Sequence, residues 1–177
     1  INYAQALSEG LTLASIIDDS PVTFDVRGQK PYSPKNYDGT YKGKITVRQA
    51  LAQSRNIPAV KILASYGLGK MIDLGEKMGI TTWQDRSRFG LSLTLGGGET
   101  KLIDLATVYS VIANNGLKNE IKDITKIENY NGKTIFDINK IENASEQVLD
   151  KRVAYLLIDT LKDNLSRSPA FGSNSML

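Results

Sequence analysis

Ser54-Arg55-Asn56 is the place in this chain where residue types and spacing point to chemistry. The tripeptide ends an amphipathic run that begins at Thr46, and Pro58 breaks the chain just beyond it. A helix that delivers two hydrogen-bonding side chains next to a break implies that something polar is held there. The chain has no Cys and no His. It therefore lacks thiolate and imidazole metal ligands, a cysteine nucleophile and a histidine general base. A Ser-His-Asp triad is excluded within these residues. Acid–base work at neutral pH falls to Lys, Tyr or carboxylates with shifted pKa values. No metal site is expected, since Asp18-Asp19 and Asp104 have no partners at ligand spacing, and no cofactor is expected.

The elements that must position this pair can be read from periodicity. Thr46 and Gln49 stand at the spacing of a capping box. Val47, Ala50, Leu51 and Ser54 then share one helical face, so the Ser54 hydroxyl is expected to be buried or to face a cleft. Pro58 is tolerated in a first turn and predicts a second helix through Val60, Ile62, Leu63 and Tyr66. Upstream, Ile1 to Glu9 reads as a short amphipathic helix stopped by Gly10. Ile16 to Phe24 reads as extended, and Pro21, Gly28, Pro31 and Pro34 punctuate the loop after it. Tyr32 to Gly39 is a turn-rich aromatic stretch, either a surface loop pinned by two tyrosines or one wall of a cleft.

Downstream, Met71 to Met78 predicts a helix ended by Gly79. Gly96-Gly97-Gly98 predicts a tight turn with close packing rather than an anion cradle. A clear helix follows, with Thr100 as N-cap, a stripe of Leu102, Leu105, Ala106, Tyr109, Ile112 and Ala113, and Asn114-Asn115-Gly116 as its end. Trp83 and Tyr109 read as packing residues. Ile121 to Glu128 and Lys133 to Ile138 alternate like two strands around an Asn131-Gly132 turn. A last helix is expected from about Ser145 to Asn164, and the Ser/Gly/Asn-rich tail from Ser166 to Leu177 is expected to be mobile or a cut loop. The fold class is α+β: a mainly helical piece with a minor antiparallel β component.

The bulk properties bound the function. With 177 residues, 41% hydrophobic and 23% charged, the chain is one domain or most of one and can bury a core. Its net charge of +3 is spread among both signs, which fits a solvated surface and no nucleic-acid groove. No apolar run reaches the roughly 18 residues a membrane span needs. Ile1-Asn2-Tyr3-Ala4-Gln5-Ala6-Leu7 reads as a helix already under way, so residues 1–177 are expected to be an incomplete domain cut from a longer protein.

Several blocks resemble the transpeptidase domain of class A, bifunctional penicillin-binding proteins. They are Tyr32-Ser33-Pro34-Lys35-Asn36-Tyr37, the stretch from Thr46 through Ser54-Arg55-Asn56 to Val60, Gly79-Ile80-Thr81, Gly90 to Glu99, and Ala106 to Gly116. They occur in the family's order and at about its spacing. Arg55 sits where related enzymes often have Asp, a position at which class A members vary. In the family, the Ser and Asn of this motif line the active-site cleft. The resemblance implies that Ser54 shuttles a proton to the leaving group. It implies that Asn56 holds the substrate amide or helps position the catalytic lysine. Tyr32 is a further substrate-binding candidate on the same ground. These residue types suit acyl transfer without histidine, since a small hydroxyl can relay a proton and an amide both donates and accepts.

The family also needs Ser-x-x-Lys and Lys-Thr-Gly motifs, and neither occurs in these residues. Gly132-Lys133-Thr134-Ile135 has Ile where the family has Gly and sits in the expected hairpin. It is no phosphate loop either, since Ile127 stands where the leading glycine would be. The resemblance places the nucleophilic serine a few residues before Ile1 and the Lys-Thr-Gly strand after Leu177. It implies a helical subdomain beside a five-stranded antiparallel sheet, most of which this chain lacks. The implied partners are peptidoglycan stem peptides (a D-Ala-D-Ala donor and an amine acceptor) and β-lactam antibiotics. The implied location is the extracytoplasmic face of the bacterial cell membrane, anchored by a segment outside this chain, in a parent that also carries a glycosyltransferase domain. The other hypothesis is a noncatalytic cell-wall peptide-binding or scaffold module of the same fold.

Overall fold

A computed structural model of the chain describes residues 1–25, 30–140 and 144–175. In chain order the elements are α1 (Asn2–Ser8), β1 (Ile16–Asp19), β2 (Gly43–Thr46), α2 (Val47–Ala52), α3 (Asn56–Tyr66), α4 (Leu68–Met78) and α5 (Leu102–Ala113). There follow β3 (Leu117–Asn119), β4 (Lys126–Glu128), β5 (Thr134–Asp137), β6 (Ser145–Gln147), α6 (Lys151–Leu161) and α7 (Asn164–Phe171). Gly28, expected to punctuate a loop, lies outside the described residues. The architecture is α+β and mainly helical. Among the described residues the strands form three antiparallel pairs, β1 with β2, β3 with β6 and β4 with β5.

The core is built around α1, which packs against α3, α4 and α6. The sequence suggests an amphipathic α1, but no residue from Ile1 to Leu7 is exposed. The small side chains of Ala4 and Ala6 let neighbours approach on several sides, and a helix enclosed this way has no solvent face. Leu63, Ile72, Met78 and Val111 complete the interior with 1% exposure or less. Each such apolar side chain contributes about 1.5–3 kcal/mol by leaving water. The α4 helix ends where expected, at Gly79 with φ +121°.

The structure departs from the sequence reading in α5 and beyond it as well. The α5 helix is capped by Lys101 without a side-chain hydrogen bond, not by Thr100. Its buried face is Asp104, Thr107, Val108, Val111 and Ile112, while Leu102 and Tyr109 are 84% and 60% exposed. Apolar residues nearly encircle this helix, so periodicity alone could not choose a face. The choice follows Asp104, whose carboxylate accepts from the Thr81 N–H at 2.8 Å and hydroxyl at 2.7 Å.

The expected helix from Ser145 begins instead as strand β6, paired with β3 at Leu117↔Gln147 and Asn119↔Ser145. Asp150 then caps α6 by accepting from the Arg152 N–H at 2.8 Å. The first part of the tail, as far as Phe171, is helical as α7, because Asp163 caps it through the Ser166 N–H at 3.0 Å. The hairpin stands as read, though β4 spans only Lys126–Glu128.

Candidate active site

The route to Ser54 begins at the β1–β2 pair, where Ile16 faces Thr46 and Asp19 faces Gly43. β2 runs directly into α2. At that junction Thr46 accepts from the Gln49 N–H, and the Gln49 side chain accepts from the Thr46 N–H at 2.9 Å, a complete capping box. Val47 and Ala50 are fully buried and seat α2 on the core. The helix stops at Ala52, two residues short of Ser54.

Ser54 has φ +53°, in the left-handed region. That conformation costs a non-glycine residue about 1 kcal/mol or more and is typical of constrained functional positions. It turns the chain so that α3 starts almost at once, at Asn56. Ser54 is exposed, and its hydroxyl has no hydrogen-bond partner among the described residues.

The start of α3 is completed from a distant loop. The Asn36 side-chain oxygen accepts from the N–H groups of Asn56 at 3.0 Å and Ile57 at 3.2 Å. The next residue, Pro58, has no N–H to satisfy. The free amide donors of this helix start are thus met by one buried side chain and one proline. Asn36 donates in turn to Asp19 Oδ1 at 2.7 Å and to the Thr40 carbonyl at 2.9 Å. The Asn56 side chain donates to the Lys35 carbonyl at 2.8 Å.

Arg55, between the two candidate residues, is only 5% exposed. Its Nε donates to Asp19 at 2.8 Å and its Nη1 to Asp38 at 2.7 Å, and its Nη2 donates to the Thr40 carbonyl. Asp19 is fully buried and also accepts from the Lys42 N–H at 3.1 Å. Both hydrogen bonds from Thr40 and the Arg55 guanidinium hold the Asp38 carboxyl well below the usual carboxylate range. The buried carboxylate and guanidinium therefore meet the pairing that charge burial demands.

Ser54 and Asn56 line one cleft of about 660 Å³. Ile1, Asn2 and Tyr3 at the start of α1 line it too, as do Thr94, Gly96 and Gly98 of the glycine loop and Leu105 and Tyr109 of α5. Tyr109, read from sequence as packing, is a wall residue. Tyr32 is not among the residues that line this cleft. It forms an isolated antiparallel bridge with Phe24, on the loop whose Lys35 and Asn36 reach α3. Two polar groups near the cleft are buried without a partner among the described residues, the Tyr3 hydroxyl and the Trp83 indole N–H. Burial, helped by the charge of Asp19, pushes the Tyr3 phenol above its ordinary value.

Gly98 is closely packed, since a Cβ there would lie 2.4 Å from the end of the Leu93 side chain and 3.2 Å from the Trp83 indole nitrogen. Sequence reasoning missed Asp19, Asn36 and Asn2 as site-building residues. Polar residues in the midst of apolar or turn segments were the available signal, but nothing in one sequence pairs them across the fold.

Residues 1–170 match the family model described as the penicillin binding protein transpeptidase domain. The chain belongs to this family. Its sequence is 34% identical over 179 residues to penicillin-binding protein 1A of Neisseria flavescens, covering 98% of this chain and 22% of that protein. Among solved structures, penicillin-binding protein 1A from Haemophilus influenzae matches with a TM-score of 0.80 at 27% identity, over 93% of this chain and 28% of that one. The PonA1 protein from Mycobacterium tuberculosis, solved in complex with penicillin V, shares the fold with a TM-score of 0.79 at 22% identity, over 96% of this chain and 46% of that one. The chain thus spans about a fifth of the length of the curated penicillin-binding protein relatives it matches.

Proposed function

We propose that this chain is the central part of a peptidoglycan D,D-transpeptidase domain, and that its parent cross-links stem peptides through an acyl-serine intermediate. The nucleophile belongs to a Ser-x-x-Lys motif that residues 1–177 do not contain; we place it just before Ile1, with the last strands after Leu177. The serine oxygen attacks the carbonyl carbon of the penultimate D-Ala, the amide C–N bond breaks, and D-Ala leaves with a proton. The acceptor amine of a neighbouring stem then attacks the ester, a new amide forms, and the serine regains its proton. Ser54 relays the proton to the leaving amine. Asn56 holds the substrate amide or the catalytic lysine, and Tyr32, on the loop that supports Asn56, is a further substrate-binding candidate. β-Lactams acylate the same serine, and the parent works at the extracytoplasmic face of the membrane with a glycosyltransferase domain and an anchor elsewhere in its length.

The observation that carries this reading is that Ser54, Asn56 and the first residues of α1 line one cleft. A chain entering α1 from upstream would reach Ile1 and Asn2, which line the same cleft as the two side chains proposed to assist its serine. Family membership supports the reaction class.

Intact-mass measurement of the longer parent after incubation with benzylpenicillin tests it. One stoichiometric adduct mapped to a serine before Ile1 is the expected result. A folded parent that takes no adduct would indicate a noncatalytic peptide-binding module. Residues 1–177 alone are expected to form no stable adduct, and an adduct at any serine within them would overturn the assignment of the nucleophile.

A further inference from the structure

We infer that Arg55 and Asn36 are positioning residues for acyl transfer, setting the Ser54–Asn56 pair through a buried network that ends on Asp19, Asp38 and Thr40. This rests on the proposed function of the same cleft.

The geometry separates positioning from simple stabilisation. A side chain that only filled the core would touch its neighbours without fixing the backbone on both sides of one residue. Here the middle residue of Ser54-Arg55-Asn56 is tied by three donors to Asp19, Asp38 and the Thr40 carbonyl. The residue before it is held at φ +53°, and the residue after it gives its N–H to Asn36 at 3.0 Å. Asn36 and Arg55 meet on the same carboxylate, one at each oxygen of Asp19.

The amide of Asn56 is oriented by the same loop. One of its two N–H groups donates to the Lys35 carbonyl at 2.8 Å, and its oxygen has no hydrogen bond among the described residues. That oxygen can accept from a ligand donor, such as a substrate amide N–H or a lysine ammonium, while the second N–H can still donate. Residues 35–40 therefore fix the orientation of the Asn56 amide, and Arg55 and Asn36 fix residues 35–40 to α3. Support of this kind matters because a reacting group displaced by about 1 Å can lose on the order of a hundredfold in rate.

The test uses the full-length parent and a fluorescent penicillin, reading the second-order acylation rate constant and the labelled amplitude separately. Lost stability lowers the amplitude, the fraction of molecules able to react; mispositioning lowers the rate constant of those that do. Asn36→Ala is expected to slow acylation by about tenfold or more. Arg55→Lys keeps the charge but cannot span three acceptors, and is expected to lose about three- to tenfold. Asp38→Asn, at a carboxylate nearly half exposed, leaves the buried Asp19 pair intact and should fold, with a loss of about threefold. If Asn36→Ala does not fold, the other two variants decide. Wild-type rate constants in the folded variants, with loss only in amplitude, overturn the inference while leaving the proposed function standing. A wild-type parent that takes no penicillin overturns both.

Discussion

The Tyr66 hydroxyl donates to the Asn2 side-chain oxygen at 2.6 Å, and the Asn2 amide nitrogen donates onward to the Ala59 carbonyl at 2.8 Å and the Thr94 hydroxyl at 2.7 Å. One buried amide thus joins α1, α3 and the 3₁₀ turn Leu91–Leu95, all of which border the cleft. Asn2→Ala leaves these partners unsatisfied in a low-dielectric interior and is expected to destabilise the protein by about 2–3 kcal/mol. Tyr66→Phe removes a single donor and should cost less, about 1–2 kcal/mol. Urea unfolding of the two variants checks the order.

Ser54 carries a conformational cost that glycine would not. Ser54→Gly is expected to raise stability by about 0.5–1 kcal/mol, the relief of a left-handed backbone less the extra freedom of glycine when unfolded. It should also slow penicillin acylation of the parent, because the hydroxyl is gone. Ser54→Ala should slow acylation without the gain in melting temperature. A stabilised Ser54→Gly enzyme that acylates at the wild-type rate would remove Ser54 from the site.

Gly116 connects α5 to β3 at φ +87°, and a Cβ there would sit 1.9 Å from the Leu149 carbonyl oxygen. The collision is with backbone, so no rotamer change relieves it. Gly116→Ala is expected to cost about 3 kcal/mol or more. The damage should concentrate where Val148 and Leu149 donate to the Gly116 carbonyl at 3.0 and 3.2 Å. Hydrogen exchange at those two amides is the local readout, and unchanged protection would argue against the packing described.

Asp150 caps α6 and pairs with Arg152, whose side-chain and backbone N–H groups lower its pKa from 3.8 to about 2. A folded pKa below the unfolded value adds stability that is present above the unfolded pKa and lost as pH falls through the folded one. Wild type should therefore exceed Asp150→Asn in melting temperature above about pH 4, with the gap closing between about pH 4 and about pH 2. Equal melting temperatures across that range would mean that the carboxylate contributes nothing beyond a neutral cap.

Much of this was legible in sequence because the relevant signals are local. The Thr46–Gln49 capping box, the stops at Gly10 and Gly79, the Asn131-Gly132 turn and the start of α3 around Pro58 all depend on residues within a turn or two of one another. The family was legible too, through ordered blocks around Ser54 and Asn56. The β3–β6 pair was not, because Ser145 to Gln147 carries no strand pattern and finds its partner only when α5 folds back. The enclosure of α1 was missed because Ala4 and Gln5 say nothing about how many neighbours will surround them.

By itself, then, the sequence determined where α2 begins and where α1 and α4 stop, that no histidine or cysteine chemistry is available within these residues, and which two residues stand at the break after α2. The tertiary structure alone decided that Leu105 and Tyr109 of α5 face the cleft while Asp104 points to Thr81, and that Asn36 completes a helix it does not belong to. It also decided that Arg55 is buried on Asp19. The physical reason is range: caps and turns satisfy backbone groups with their sequence neighbours, whereas a buried charge or a free helix end must find its partner across the fold. Such partners are chosen by the packing of whole elements, which no single stretch of residues encodes.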